Sequence, residues 1–260
     1  NVMGPDVDQR GSSVDENRLR FDFSSTRGLK TDELKKVEKI VNDIISSKQD
    51  VSSKIVPLEQ AMEINGLRAV FGEVYPDPVR VISIGQPVDD LIADPKSDTW
   101  TKHSVEFCGG THLQNTAEAA AFVLTEETAV AKGIRRISAI TGNIAQQAIV
   151  TGEKISESIE ALSTDMKKLG ADVDISAVED RISETRTELE GETLSTTLKG
   201  SLRVQLEKIQ KDVFNLKKAT MMSMVRDGIA RAKEQAVNMV NNGETKIILQ
   251  VNIGSDSKGI

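Results

Sequence analysis

GIRRISAITG, residues 133–142, reads as a β-strand, with three isoleucines between two bounding glycines. After Gly142 the spacing of apolar residues changes to that of a helix. Ile155, Ile159, Leu162, Met166 and Leu169 are 4, 3, 4 and 3 apart, and the run stops at Gly170, which suits a helix C-cap. Residue 142 is therefore the boundary between a sheet-forming first part and a helical second part.

Working back from that strand, RLRFDF (18–23) alternates Leu19, Phe21 and Phe23 with Arg20 and Asp22, as expected of a strand with one buried face. From Thr31 to about Lys48, the residues Leu34, Val37, Ile40, Val41, Ile44 and Ile45 recur at helical spacing with Thr31 as N-cap. Further strands are expected at LRAVFGE, VRVISIG, HSVEF, AFVLTEE and IRRISAIT, separated by turn stretches such as YPDP and DPKSD. Helices and strands interleave without a βαβ rhythm, so the expected class is α+β: a mixed or antiparallel sheet with packed helices over residues 1–142.

Working forward, a second helix is expected from a capping box at Ser176 to Glu179, with Val178, Ile182 and Leu189 on its apolar stripe. A third and longer one carries Leu202, Leu206, Ile209, Val213 and Leu216, then Val225, Ile229, Ala232 and Ala236. Gly200, Gly228 and Thr220 weaken it locally. Over 143–243 these stripes form either an antiparallel hairpin or small bundle, which Gly170 and ELEGETLSTT favour, or an intermolecular coiled coil. KIILQVNIG alternates Ile247, Leu249, Val251 and Ile253 and reads as the first strand of a further domain, 244–260.

Composition sets the remaining bounds. The 260 residues suffice for one or two domains, and no apolar run approaches the roughly 18 residues needed to span a bilayer. The start NVMGPDVDQRG has neither a charged n-region nor an apolar h-region, and without an initiating methionine the chain is read as an excised fragment. Cys108 is the one cysteine, so no internal disulfide exists and a cytosolic or organellar matrix setting is the default. A formal net charge of −7 argues against binding nucleic acid through overall basicity, and leaves RNA contact to local patches.

Chemistry concentrates in SVEFCGGTHLQNT, where Cys108 and His112 are separated by Gly109, Gly110 and Thr111. Two consecutive glycines disfavour a helix, so a strand followed by a turn is expected, with the glycines taking positive φ to bring His112 toward Cys108. Along the strand, Ser104, Glu106 and Cys108 share a face opposite to Val105 and Phe107. Thiolate and imidazole are ligands that zinc prefers, but a stable site needs three or four, and His103 lies at the far start of the same strand. From the residues alone, the pair is either half a metal site or a buried cysteine beside an unrelated turn histidine.

VEFCGGTHLQNT, GIRRISAITG and, upstream, DQRGSSVDENRLRFDF together resemble the editing domain of the alanyl-tRNA synthetase family, in the family's order from about Val7 to Gly142. GLRAVFGEVYPDPVRVISIG is similar to the eukaryotic cytosolic branch. Past Gly142 the resemblance is mainly architectural, a helical segment leading to a C-terminal domain whose beginning VNIGSDSKGI resembles.

The resemblance implies a zinc site in which Cys108 and His112 are two ligands and an H-x-x-x-H pair, expected upstream of Asn1, supplies the other two. It implies hydrolysis of mischarged Ser-tRNA(Ala) or Gly-tRNA(Ala), because an alanine pocket cannot exclude glycine by size and rejects serine only modestly. Gln9 falls at the family's glutamine in Q-x-G-S, where a side-chain amide can bond the serine hydroxyl; read alone it is a polar turn residue. Arg135 and Arg136 are candidate tRNA phosphate contacts, on opposite faces of their strand, or else surface arginines with internal carboxylate partners. Lys102 and Lys132 would extend such a patch.

ATP and Mg2+ are implied only for an aminoacylating core, whose class II motifs this sequence lacks. The implied partners are tRNA(Ala) and possible further copies of the chain through the helical and C-terminal region, with no membrane and no DNA. The expected location is the cytoplasm, with mitochondria or another organelle as a second. Two other readings stand beside this one: a free-standing trans-editing deacylase, and a non-catalytic tRNA-binding or oligomerisation module.

Overall fold

The computed structural model describes residues 2–4, 7–69, 73–168, 175–242, 246 and 248. Among them are eight strands and six α-helices, an α+β arrangement as the sequence indicates. They fall into two compact units, 1–154 with 192–200, and 155–191 with 201–260.

The first unit contains two four-stranded sheets. One is antiparallel throughout, in the order β1 (Gln9–Val14), β2 (Leu19–Ser24), β8 (Ile134–Thr141), β7 (Phe122–Ala131). Helix α1 (Thr31–Ser46) packs on one face, where Leu34 and Ile45 join Phe122, Leu124 and Ala139 in a core flanked by Val37, Val41 and Ile137. Side chains alternate across a strand, so Val123 and Ile140 face the other way and pack on Ala145 and Ala148. Those alanines belong to the first turns of α4 (Gly142–Lys168). Strand β8 passes into α4 at Gly142 itself, whose φ of +67° glycine adopts without strain.

Helix α1 is capped one residue earlier than expected: Thr31 is its first helical residue and Lys30 the N-cap. The Lys30 amide donates to Glu33 Oε2 over 2.8 Å, and Arg27 grips both oxygens of Glu33 at 2.7 Å, which holds that carboxyl down at about 2.

The same helix covers the outer edge of β7. An uncovered edge strand presents unpaired N–H and C=O groups to solvent and to other strands. Asn42 meets both groups of Phe122, donating from Nδ2 to its carbonyl at 2.8 Å and accepting its amide at Oδ1 at 2.9 Å. One turn back, Glu38 accepts the Leu124 amide at 3.4 Å and the Ser195 hydroxyl at 2.8 Å. Burial raises the Glu38 carboxyl above its ordinary value, and the two hydrogen bonds offset this only in part.

Ser195 lies in the segment that rejoins the first unit. Nearby, Leu194 and Leu198 close over Gly152 of α4, where a Cβ would sit 2.7 Å from Leu198 Cδ2. Packing carries the first compact unit to Lys154 and adds Glu192–Gly200.

The second sheet is mixed, in the order β3 (Val51–Val56), β5 (Val79–Ile84), β6 (Ser104–Phe107), β4 (Leu67–Arg68), with only the β4–β6 pair parallel. Val56, Val79, Val81, Val105 and Phe107 bury one face against Ala61 of α2 (Leu58–Met62) and Val88 and Leu91 of α3 (Val88–Ala93). The expected strand LRAVFGE is realised as the two residues of β4, and Val70–Gly72 lie outside the described residues.

In the second unit, Ile155, Ile159 and Leu162 of α4, Val178, Ile182 and Leu189 of α5 (Ile175–Gly191), and Leu202, Leu206, Ile209 and Val213 of α6 (Thr196–Asn241) are all buried. Arg203 pairs with Glu190 at 2.6 Å and Lys217 with Glu179 at 3.2 Å, so α6 rises as α5 descends. Asp165 and Arg181 tie α4 to α5 at 2.8 Å. Down to Lys217 the stripes are thus satisfied by an intramolecular antiparallel bundle. Further along α6, Met222, Ile229, Val237 and Val240 are exposed. Leu169 and the expected C-cap Gly170 lie outside the described residues, as does the expected strand in KIILQVNIG apart from Lys246 and Ile248.

Two outcomes follow from the α1–β7 seam. Asn42→Ala strands a backbone donor and acceptor and is expected to lower stability by about 1–3 kcal/mol in urea unfolding. Glu38 binds its proton more tightly when folded, so its contribution is complete below the ordinary carboxylate value near 4.5 and is lost as pH rises through the folded value. Glu38→Gln and the unaltered protein should therefore melt alike near pH 4, and Glu38→Gln should melt higher at pH 7.5.

Candidate functional site

Cys108 immediately follows β6 and lies on the sheet face away from the Val105 and Phe107 core. It is half-buried and its thiol is free, and its amide donates to the Arg80 carbonyl over 3.4 Å. Gly109, Gly110, Thr111, His112 and Leu113 are exposed. Neither glycine has positive φ, contrary to the expected turn geometry. The bend is held instead by bonds from outside: Arg80 Nη1–H donates to the Gly110 carbonyl over 2.6 Å and its Nε–H to Ser53 Oγ at 2.9 Å.

The far end of the loop is fixed more densely. Val51 N–H donates to the Gln114 carbonyl and Thr116 N–H to that of Gln49, both over 2.9 Å. The buried Thr116 hydroxyl accepts from Gln49 N–H and donates to the Ile44 carbonyl at the end of α1. Asn115 Nδ2 donates to the Lys48 carbonyl and to Asp50, while Glu118 Oε1 receives the Gln114 and Asn115 amides. His112 thus sits in a three-residue exposed span between two anchored points. The anchors have a sequence signature, since Asn115-x-x-Glu118 is a capping box, whereas nothing local marks Arg80 or Ser53.

Among the described residues, no group of three His, Cys, Asp or Glu could hold a metal ion. Sulfur and imidazole donors on one loop suit zinc chemically, as an incomplete set. His103 is half-buried at the opposite end of β6, its ring 6.3 Å from that of Trp100, and roughly 16 Å of extended chain separates it from Cys108.

Gln9 begins β1 in the other sheet and donates its side-chain amide to Ser12 Oγ over 3.1 Å. Arg135 and Arg136 both have internal carboxylate partners. Arg135 binds Glu127 through two bonds, at 2.5 and 2.6 Å, on the α1 face, with Gly28 so close that a Cβ there would be 3.0 Å from Nη2. Arg136 binds Asp22 at 2.6 and 2.7 Å, which lowers that carboxyl below its ordinary range and raises the guanidinium. Lys102 and Lys132 are exposed.

Residues 79–138, from the start of β5 into β8 and including the Cys108–His112 loop, match the family described as Threonyl and Alanyl tRNA synthetase second additional domain. The chain therefore carries that aminoacyl-tRNA synthetase domain. More particularly, it is related to alanine–tRNA ligases. It is 53% identical to the cytoplasmic enzyme of Dictyostelium discoideum over 155 residues, 60% of this chain and 16% of that one. It is 42% identical to the mitochondrial enzyme of Saccharomyces cerevisiae over 213 residues, 82% and 21% respectively. With the cytoplasmic enzyme of Drosophila melanogaster it shares 34% over 259 residues, 100% and 27%. The chain spans between 16% and 27% of the length of these relatives.

The Arg135–Glu127 pair is shielded, with side chains 20% and 9% exposed, whereas Lys39–Asp43 on α1 is 73% and 61% exposed. Arg135→Lys cannot reproduce the two-point grip and should lower the thermal midpoint measurably, while Lys39→Gln should leave it almost unchanged. Differential scanning calorimetry checks the comparison.

Proposed function

We propose that this chain is the editing portion and adjoining helical segment of an alanine–tRNA ligase. It hydrolyses the ester of Ser-tRNA(Ala) or Gly-tRNA(Ala), and the whole enzyme attaches alanine to tRNA(Ala) using ATP and Mg2+. The observation that carries this is the loop Cys108–His112, anchored at the end of a sheet strand inside the matched second additional domain. The likeness to the Drosophila relative continues through the helices, which favours a synthetase over a free-standing deacylase.

Cys108 and His112 would supply two ligands to a zinc ion, the other two coming from the H-x-x-x-H pair that the resemblance implies. When bound, the ion provides Lewis acidity toward an ester carbonyl or a water. Gln9 would read the substrate: its Nε2 is engaged by Ser12, and its Oε1 is the acceptor that a serine hydroxyl requires. Water then adds to the ester carbonyl, the bond to the ribose oxygen breaks, and free amino acid and tRNA leave. Contacts from the remaining guanidinium donors of Arg135 and Arg136 to tRNA phosphates belong to the same proposal. So do a cytoplasmic or mitochondrial setting and self-association through the helical region.

In the whole enzyme, Cys108→Ala should reduce Ser-tRNA(Ala) hydrolysis by at least about tenfold while alanylation persists, as expected when one ligand of a catalytic metal is lost. Unchanged hydrolysis would sink the zinc-site reading. Gln9→Ala should impair clearance of Ser-tRNA(Ala) more than of Gly-tRNA(Ala), measured with both substrates on one enzyme preparation.

A further inference from the structure

Arg80 stands opposite Cys108. The β5–β6 register pairs Val81 with Phe107, and one residue further on it sets Arg80 against Cys108, with the Cys108 amide donating to the Arg80 carbonyl. Directly opposed residues of an antiparallel pair present their side chains on one face, so guanidinium and thiol share the sheet face opposite to the Val81 and Phe107 core. Arg80 therefore holds the backbone at two points, Cys108 through its main chain and Gly110 through its side chain. Ser53, on the strand to the other side, fixes the guanidinium by accepting from Nε.

The loop has no comparable means of fixing itself. Consecutive glycines lose the most conformational freedom on ordering. A Cβ on Gly109 would meet nothing within 4 Å, and one on Gly110 would meet only Cys108 Sγ, at 3.6 Å. Side-chain packing thus does not hold this stretch, and glycine is not demanded there by steric contact with the chain.

We propose that Arg80 is the positioning residue of the Cys108–His112 turn, acting through Gly110 and Cys108 rather than on any substrate. Its functional meaning rests on the reading of Cys108 and His112 as metal ligands. Arginine is required because a planar fork reaches Ser53 and Gly110 together, whereas a lysine ammonium on its flexible stem does not reproduce that fixed geometry.

Two readouts that need no metal test this on the chain itself. Cys108 is its one cysteine, so iodoacetamide alkylation reports that thiol alone. Amide hydrogen exchange reports residues 109–113 separately from the Ile82 and Glu106 amides, the bonded pair of the β5–β6 ladder next to Arg80 and Cys108. Arg80→Lys keeps the cation, so a changed alkylation rate reflects geometry, and Arg80→Met removes the cation as well. In Arg80→Lys, exchange at 109–113 and alkylation of Cys108 should each accelerate by at least about threefold while the ladder amides do not, the mark of a local opening. Smaller acceleration, or ladder amides that accelerate as much as the loop, would overturn the proposal. Should Arg80→Met fail to fold, Arg80→Lys decides alone. Metal content of the whole enzyme bears on the zinc reading separately, so the two failures are distinguishable.

Discussion

The seam between α1 and the outer edge of β7 is the contact on which the first unit depends. A helix lying on a sheet ordinarily contributes apolar burial alone, and α1 does so through Leu34 and Ile45. Here two polar residues one turn apart, Glu38 and Asn42, also complete the edge hydrogen bonds of Phe122 and Leu124. Register between helix and strand is thereby fixed by directional bonds as well as by packing. At the end of the same helix, the Ile44 carbonyl receives the Thr116 hydroxyl, so α1 also anchors the far end of the loop that carries His112. One helix connects the stability of the sheet to the placement of the site.

Charge is used in a similar way, for assembly. Strand β8 is central to its sheet, and its adjacent arginines point to opposite faces. Arg135 clamps Glu127 of β7 and Arg136 clamps Asp22 of β2, so the central strand is tied to both neighbours. A two-point arginine–carboxylate bond has directional specificity that a lysine pair lacks. Any contact these arginines make with phosphate has to use donors that the carboxylates leave over.

Strands whose apolar residues enter a core were legible in the sequence: RLRFDF, VRVISIG, HSVEF, AFVLTEE and IRRISAIT all lie in β-strands. Strands β1 and β3 were not read: Val14 is 75% and Ile55 65% exposed, and in β3 only the last residue, Val56, enters a core, so neither shows an alternating buried stripe. The packing of Leu198 against Gly152 was hidden for a related reason: the two residues are far apart in sequence and meet only through tertiary packing. At the site, the loop residues announce themselves by type, sulfur and imidazole around two glycines. Their supports do not. Arg80 and Ser53 belong to other strands, and only the fold brings Arg80 to Gly110 and Ser53 to Arg80. The positive φ expected of the glycines failed because an external hydrogen bond, and not backbone handedness, shapes the turn.

In the proposed function, Cys108 gives its sulfur to a metal ion in the assembled enzyme. X-ray absorption at the zinc edge of the whole enzyme examines that bond directly. The account predicts one sulfur scatterer at roughly 2.3 Å, absent from Cys108→Ser, with nitrogen neighbours completing the shell. A zinc shell of nitrogen and oxygen alone, or a sulfur that survives Cys108→Ser, would contradict it.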